Sequence, residues 1–235
     1  MARTAMSGRA TRRPADRRAP MALYTPRYNR EDDPAVLAAF LAAHPFATLV
    51  SGGAGGRFAT HLPLLFDAGR NVLWGHVARA NDHWKHLEAS PDALAIFHGA
   101  HAYVSSTWYA PPTSIPTWNY ETVHVRGRAS LVHEPERLRT LAEGLTRAFE
   151  PEATLLGPGY DAGQLRAIVG VEIAVTAFEG KFKLSQNRSD EDRRRVIERL
   201  RASARADDQV TAEAMARVLG AAVGEAGAGP HVGRP

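Results

Sequence analysis

A chain of 235 residues with 44% hydrophobic and 23% charged residues is long enough for one globular domain with appended segments. It contains no cysteine, which excludes disulfides, thiolate metal sites and cysteine nucleophiles. The net charge is +4, but residues 1–20 hold six arginines and one acid, so residues 21–235 sum to −1. The basic character therefore belongs to the N-terminal segment, where it would support only a salt-sensitive contact with phosphates that does not depend on base sequence.

Composition divides the chain into three parts. Residues 1–20 are predicted to be a basic disordered tail, or alternatively an over-extended reading frame, since ordered patterning begins at Met21. Residues 21–205 are predicted to form the folded domain, and residues 206–235 a weak helix with a disordered Gly- and Ala-rich tail. There is no apolar run of about 18 residues and no signal-peptide core, so we expect a soluble, cytoplasmic protein without a membrane span.

The first third of the chain predicts a helix followed by an antiparallel meander. Asp33-Pro34 is a capping acid followed by proline, which favours a helix start, and Pro45 should end that helix. Strands are predicted over 46–51, 57–66 and 72–76, separated by turns rich in Gly, Asp and Asn.

The remainder alternates strands with amphipathic helices. Helices are predicted over 80–89, 136–149, from Ser189 to about 200, and weakly over 211–219. Strands are predicted over 93–97, 102–105, 118–132, 169–178 and 181–185, with a bend or bulge at Gly127 and a turn at Gly180. Short strands with peripheral helices indicate a mainly β, α+β fold, an antiparallel barrel or sandwich.

One stretch, residues 101–120, combines aromatic and polar side chains in a turn-rich loop. Trp108, Tyr109 and Trp118 lie within it, and Asn119 follows directly. Apolar surface with a few placed polar groups is typical of a small-molecule site. An ordered loop that covers one end of a sheet explains the same composition, and both interpretations stay open.

Several familiar site patterns are missing. The glycine-rich segment 52–56 has no P-loop or dinucleotide-binding context and is interpreted as a hairpin turn. Ten histidines are present without a zinc-ligand frame, although His83 and His86 share a helix face. There is no GxSxG motif. A helix-turn-helix could only come from the helices near 189–200 and 211–219, whose predicted linker is too long.

Two segments suit an anionic ligand. The string GHVARAND, residues 75–82, lies at a predicted strand-to-helix junction, where backbone amides can bind phosphate. Arg57 and Arg79 could bind that phosphate bidentately. The string KFKLSQNR, residues 181–188, adds lysine, hydroxyl and amide groups at a strand exit. Turn chemistry and surface charge are the alternative explanation for both segments.

A family resemblance connects these segments. The strings FATHLP (58–63), GHVARAND (75–82), AYVSSTWY (102–109), PTWNY (116–120), VHVRGR (123–128) and KFKLSQNRSDEDR (181–193) resemble the PaiB family. That family is described as FMN-binding negative transcriptional regulators with a split-barrel fold like those of pyridoxamine-phosphate oxidases and flavin reductases. The resemblance covers about residues 23–200.

The resemblance implies a homodimer that holds FMN at the subunit interface. It implies Arg57 as a phosphate ligand. Where the oxidases carry a Ser-Arg-Lys run, this chain has Ala80, Asn81 and Asp82, with Lys85 further on. No catalytic residue and no metal ligand is predicted. The predicted cofactor-binding residues are Arg57, Ala59, Thr60, Trp74, Gly75, His76, Arg79, Asn81, Lys85, Lys183, Ser185, Gln186 and Asn187, with Trp108, Tyr109, Trp118 and Asn119 as the pocket wall.

Three functions follow as hypotheses. The first is an FMN-binding, PaiB-type repressor, with DNA as a partner implied by the resemblance alone. The second is an FMN-dependent oxidoreductase acting on a small substrate, in which the flavin supplies the chemistry. The third is a binding protein that takes no flavin.

Overall fold

The computed structural model describes residues 23–53, 56–112, 115–150 and 159–227. The predicted N-terminal tail, and the C-terminal tail beyond residue 227, lie outside these ranges. The described residues form eight strands and six α-helices. The strands are β1 Arg30–Glu31, β2 Phe46–Gly53, β3 Gly56–Pro63, β4 Leu65–Asp67, β5 Val72–Ala78, β6 Asp92–Val104, β7 Thr117–Val132 and β8 Ile168–Lys183. The helices are α1 Pro34–Ala43, α2 His83–Ala89, α3 Pro135–Phe149, α4 Ala162–Arg166, α5 Asp190–Arg201 and α6 Ala206–Gly227.

All eight strands join one antiparallel sheet, in the order β3-β2-β6-β7-β8-β5-β4, with β1 paired to β8. The outermost strands of this order, β3 and β4, are joined through the single residue Leu64, and β3 also contacts β5. The sheet must therefore curl until its two borders approach each other at the Pro63–Leu65 link, which makes it a barrel although β3 stays unpaired on its outer side. The predicted mainly β, α+β barrel is confirmed.

Strand alternation separates a buried inner face from an open outer face. Leu49, Phe97 and Val125 point inward and are completely buried. On the outer face Val50, which lies opposite Leu94, remains partly exposed. We call the outer side of β3, β2, β6 and β7 the open sheet face.

The prediction of a single strand over 57–66 is wrong, because the strand is interrupted after Pro63. Proline cannot donate a ladder hydrogen bond, and the next residue, Leu64, donates its backbone N–H to the carbonyl of Pro45 at 2.9 Å. The residues before the break pair with β2, whereas those after it pair with β5. The expected meander is therefore two hairpins at opposite ends of the sheet order.

At two places where the sequence predicts separate strands, the structure has one continuous strand. β6 runs from 92 to 104 with a register shift between His98 and His101. β8 runs through Gly180, where an added Cβ would lie 2.5 Å from the carbonyl oxygen of Glu31. Glycine is required there so that β1 can approach, and it makes no turn. The bulge predicted at Gly127 is confirmed by a register shift between Arg126 and Gly127.

Local capping residues predicted the starts of two helices correctly. Asp33 and Ser189 cap α1 and α5 as predicted, each accepting hydrogen bonds from backbone N–H groups. The last helix is longer than the predicted 211–219, and only residues 202–205 separate it from α5, so the predicted long linker is wrong. Helix α4 was not predicted, although Asp161 and Gln164 form a capping box at its start.

Candidate functional site

Three arginines line a groove of about 470 Å³ on the open sheet face. We call it the arginine groove. Arg126 and Arg128 alternate along β7 and so point to the same side, and Arg57 lies opposite Gly52 in the β2–β3 pairing. Gly52 has no side chain, which leaves space between Arg57 and the β6–β7 pair. The other lining residues are Val50, Ser51, Asp92, Ala93, Leu94, Gly127 and Thr176.

Not all the positive charge of the arginine groove is paired with a carboxylate of the described residues. Arg128 pairs with Asp92 at 3.2 Å, and Arg126 lies 3.9 Å from the buried carboxylate of Glu179. Arg57 makes no ion pair or hydrogen bond within the described ranges, and its side chain is exposed. Guanidinium groups bind phosphate oxygens through charge-assisted, often bidentate hydrogen bonds. The groove can therefore take a phosphate monoester.

The edge of the sheet lies beside this groove. β3 is the last strand of the sheet order and pairs along its length with β2 alone. Backbone N–H and C=O groups on the free side of an edge strand can bond a ligand. Ala59 is exposed and lies on the same side of β3 as Arg57, whereas Thr60 points to the opposite side. Ala59 and Thr60, two of the predicted cofactor-binding residues, therefore lie on opposite faces of this edge strand.

Thr60 and Asn81 belong to a buried hydrogen-bond network below α2. The Asn81 amide donates to the Thr60 hydroxyl at 3.1 Å, and that hydroxyl lies 2.8 Å from Nδ1 of His83. Nε2 of His83 lies 2.9 Å from the Ser51 hydroxyl, which lies 2.8 Å from Nδ1 of His86. Every group is satisfied if each donates to the next in this order, which requires neutral His83 with its proton on Nε2.

His83 is completely buried and stacks on Phe58 with ring centroids 4.8 Å apart. Burial, with a smaller contribution from His86, lowers the pKa of His83 to about 4. The spacing of His83 and His86 placed them on one helix face. Their partners on β2 and β3 depend on long-range packing, which the sequence pattern does not reveal.

The expected clamp between Arg57 and Arg79 is not formed among the described residues. Arg79 instead donates from Nε to the carbonyl of Arg166 at 2.7 Å and from Nη2 to that of Ile168 at 2.8 Å. The first carbonyl belongs to the last residue of α4 and the second to the first residue of β8, and the last carbonyls of a helix need donors from outside it. Lys85 is also engaged elsewhere, since its amine lies 2.6 Å from the Asp82 carboxylate on the surface.

The predicted residues of β5 lie away from the arginine groove. A Cβ on Gly75 would lie 2.5 Å from the carbonyl oxygen of Pro63, so glycine is needed for close packing. Trp74 packs under α3, where a Cβ on Gly144 would lie 3.0 Å from the indole. Burial lowers the pKa of His76, and its Nδ1 has no hydrogen-bond partner among the described residues.

Asn119 and Ser185 meet beneath α6 inside the barrel. The Asn119 amide donates to Ser185 Oγ at 3.0 Å and to the Met215 sulfur at 3.2 Å. The Ser185 hydroxyl donates back to Oδ1 of Asn119 at 3.2 Å, and both residues are buried. This pair joins β7 and β8 to the last helix.

Two predicted residues next to Ser185, Lys183 and Gln186, donate hydrogen bonds to backbone carbonyls. Lys183 donates to the carbonyl of Trp118 at 2.6 Å and to the hydroxyl of Thr117. The Gln186 amide donates to the carbonyl of Phe182 at 2.5 Å, whereas Asn187 is exposed. The structure therefore separates residues 183–187 from the arginine groove.

The aromatic residues of the 101–120 stretch do not form a single wall. Tyr109 is buried, with the Arg188 guanidinium 4.6 Å from its ring centre, and Trp108 packs against the core. Trp118 lies on the open sheet face, 49% exposed, with its ring 5.7 Å from that of His101. Tyr109 and Trp108 therefore belong to the core, whereas Trp118 lies open on the sheet surface.

Comparison with known proteins gives one consistent result. A family profile described as "Putative FMN-binding domain" matches residues 23–177. "Protease synthase and sporulation protein PAI 2" of Bacillus subtilis (strain 168) is 36% identical over 189 residues, which cover 76% of this chain and 89% of the relative.

Solved structures share the fold. The FAD and heme binding protein from Mycobacterium smegmatis matches 70% of this chain and 78% of its own, with a TM-score of 0.58 and 17% identity. The flavocytochrome Anf3 from Azotobacter vinelandii matches 72% of this chain and 77% of its own, with a TM-score of 0.59 and 18% identity. At these identities the likeness establishes the fold alone.

Proposed function

This chain belongs to the FMN-binding domain family whose profile spans residues 23–177, and from that premise we propose that it binds FMN as a split-barrel homodimer of the PaiB type. The observation that carries the proposal is the arginine groove beside the free edge of β3. Its arginines provide positive charge for the phosphate of FMN. On the same surface, the unpaired backbone groups of β3 are available to the flat flavin ring.

The residues present fit the chemical parts of FMN. Arg57, Arg126 and Arg128 would hold the phosphate, and the partly exposed Val50 and Leu94 offer apolar surface next to them. Bound FMN would supply hydride or single-electron chemistry. The protein's contribution would be to bind the phosphate and exclude water from the ring.

A second copy of the chain would cover the open sheet face. Leu94 and Ile96 are partly exposed at its centre, and the side chain of Phe46 on the same face is 66% exposed. An apolar surface of this kind, rimmed by charges, is typical of an interface, and two-fold homodimers are the commonest soluble assembly.

Ile96→Glu is expected to convert the dimer to a monomer, because it places a charge at the centre of the interface. Light scattering after gel filtration should give the mass of two chains for the wild type and of one for the variant. Val210→Glu is the matched control, since Val210 is a β-branched apolar residue that is 50% exposed and lies on α6. A dimeric Ile96→Glu variant would contradict this interface.

We extend the proposal to transcription because of the PaiB resemblance. The α5–α6 pair is a poor recognition unit, since the first turn of α6 carries Asp207 and Asp208 and would repel DNA phosphates. Ala212 and Met215 on the same helix are completely buried in the core. DNA contact would therefore have to come from another surface of the dimer.

The absorbance spectrum of the purified protein tests the proposal directly. We expect visible flavin absorption, either as isolated or after one equivalent of FMN is added for each chain. A protein that stays colourless after reconstitution would contradict FMN binding. Bleaching of the bound flavin by NADH or NADPH would support the oxidoreductase over the regulator.

A further inference from the structure

A second groove, of about 480 Å³, lies between α3 and the β4–β5 hairpin. We call it the α3 groove. Of the residues described, none lines both this groove and the arginine groove. Its walls come from the hairpin, β8, α3 and the last residue of β7, whereas the open sheet face is the outer side of β3, β2, β6 and β7. A second copy of the chain on the open sheet face would therefore leave the α3 groove accessible.

The wall formed by α3 follows from the spacing of its residues. Four of its lining residues recur at intervals of three or four positions, which places them on one side of the helix. They are Arg137, Leu141, Gly144 and Arg147. The two arginines lie about 15 Å apart along the helix axis, with an apolar residue and a glycine between them. A Cβ on Gly144 would lie 3.0 Å from the Trp74 indole, so a side chain there would fill the space beside the ring.

Trp74 gives the α3 groove an aromatic surface. Trp74 on β5 is paired with Glu172 on β8, so their side chains lie next to each other on the outer face of the sheet. The indole is partly exposed, and Leu141 borders the same groove. Aromatic rings favour offset-stacked or edge-to-face contact with other rings. This part of the groove therefore suits the flat body of an aromatic ligand.

Two of the three arginines that line the groove already bind a carboxylate. Arg70 donates from Nη2 to Oε1 of Glu172 at 2.9 Å, and Arg137 donates from Nη2 to Oε2 of the same carboxylate at 2.8 Å. Glu172 thereby links the hairpin to α3 and neutralises part of the charge of both guanidinium groups.

Arg147 has no comparable partner. It makes no hydrogen bond within the described ranges, and the carboxylate of Glu143 lies 3.8 Å from its Nη1. An exposed ion pair at this distance contributes little, because water screens it. Arg147 is one helical turn from Gly144, which contacts the Trp74 ring, so its guanidinium can bind an anionic group attached to a ring on Trp74.

The charge balance of the α3 groove favours a ligand with one negative charge. Three arginines and the two carboxylates of Asp67 and Glu172 line it, which leaves one positive charge. A single carboxylate would neutralise that charge. A group with two negative charges would be repelled by Glu172 and Asp67.

We propose that the α3 groove binds a small aromatic carboxylate, with its ring against Trp74 and its carboxylate on Arg147. A groove of about 480 Å³ has room for one or two fused rings. Binding there requires neither FMN nor the dimer, because the α3 groove is separate from the arginine groove and from the open sheet face.

Benzoate is a suitable probe, because it is planar and carries one carboxylate. Benzamide has nearly the same shape without the charge. Titration of the full chain followed by ligand-observed NMR should give a dissociation constant of roughly 1 mM for benzoate, and weaker binding of benzamide. Arg147→Gln should weaken benzoate binding about tenfold, through the lost hydrogen bonds between charged groups, and leave benzamide binding unchanged.

Arg199→Gln is the matched control, since Arg199 is an exposed arginine on α5 that does not line the groove. It should leave both affinities unchanged. Equal affinity for benzamide and benzoate, or full benzoate affinity in Arg147→Gln, would overturn the site. The family resemblance assigns Trp74 to the cofactor, so displacement of benzoate by one equivalent of FMN would also overturn it. A protein that binds benzoate but no FMN would support this site and contradict the proposed function alone.

Discussion

Replacing Arg57 by alanine is expected to weaken FMN binding about 10- to 150-fold, because a hydrogen bond to a charged group contributes about 1.5–3 kcal/mol. Arg57 is the arginine of the groove that makes no ion pair within the described ranges, so its whole donor capacity is available to a phosphate. Riboflavin lacks the phosphate, and its affinity should stay unchanged. Quenching of flavin fluorescence on titration measures both constants.

Arg194→Ala is the control for this experiment, since Arg194 is exposed on α5, far along the chain from the groove. It should leave both affinities as they are. If Arg57→Ala weakened riboflavin and FMN by the same factor, Arg57 would support the site's structure without binding phosphate. Unaltered FMN affinity would exclude the phosphate role, while leaving flavin binding itself to be judged from the spectrum.

His83 should make the fold sensitive to acid. Its pKa is about 4 in the folded protein, against an ordinary value of 6.5. Between these pH values the unfolded chain binds a proton that the folded chain does not, so the free energy of unfolding falls as pH falls. The full loss is about 3 kcal/mol, since each pKa unit corresponds to about 1.4 kcal/mol.

Urea denaturation across the interval from pH 6.5 to about 4 measures this loss. His83→Gln removes the titrating group, and its stability should depend less on pH by about the same 3 kcal/mol. His61→Gln is the control, because His61 is exposed and bonds to Thr48 on the outer face. If His83→Gln lost stability with acid as steeply as the wild type, protonation of His83 would not be the cause.

Local patterns in the sequence predicted the secondary structure well where the cause was local. The caps at Asp33 and Ser189 and the bulge at Gly127 all depend on residues within a few positions of one another. Errors arose where a distant strand decides the outcome. Gly180 looks like a turn until β1 is placed against it, and the break after Pro63 is understood only once β2 and β5 are known as separate partners.

The candidate site likewise combines features that depend on local sequence with features that depend on the order of distant strands. Alternation along β7 places Arg126 and Arg128 on one side, which could be read from the sequence. Their proximity to Arg57 depends on β2 and β6 lying between β3 and β7, and nothing local specifies that order. Arg79 was assigned to phosphate because α4, the helix whose end it binds, was not foreseen.

The joint at Leu64 constrains how this protein can change in length. Pro63 ends one border of the sheet and Leu65 begins the other, so a single residue spans the seam of the barrel. An insertion there would shift β4 by one position against β5 and turn its side chains over, since side chains alternate with a period of two. Leu64 itself is completely buried. Variation in chain length should therefore be tolerated in surface turns and resisted at this seam.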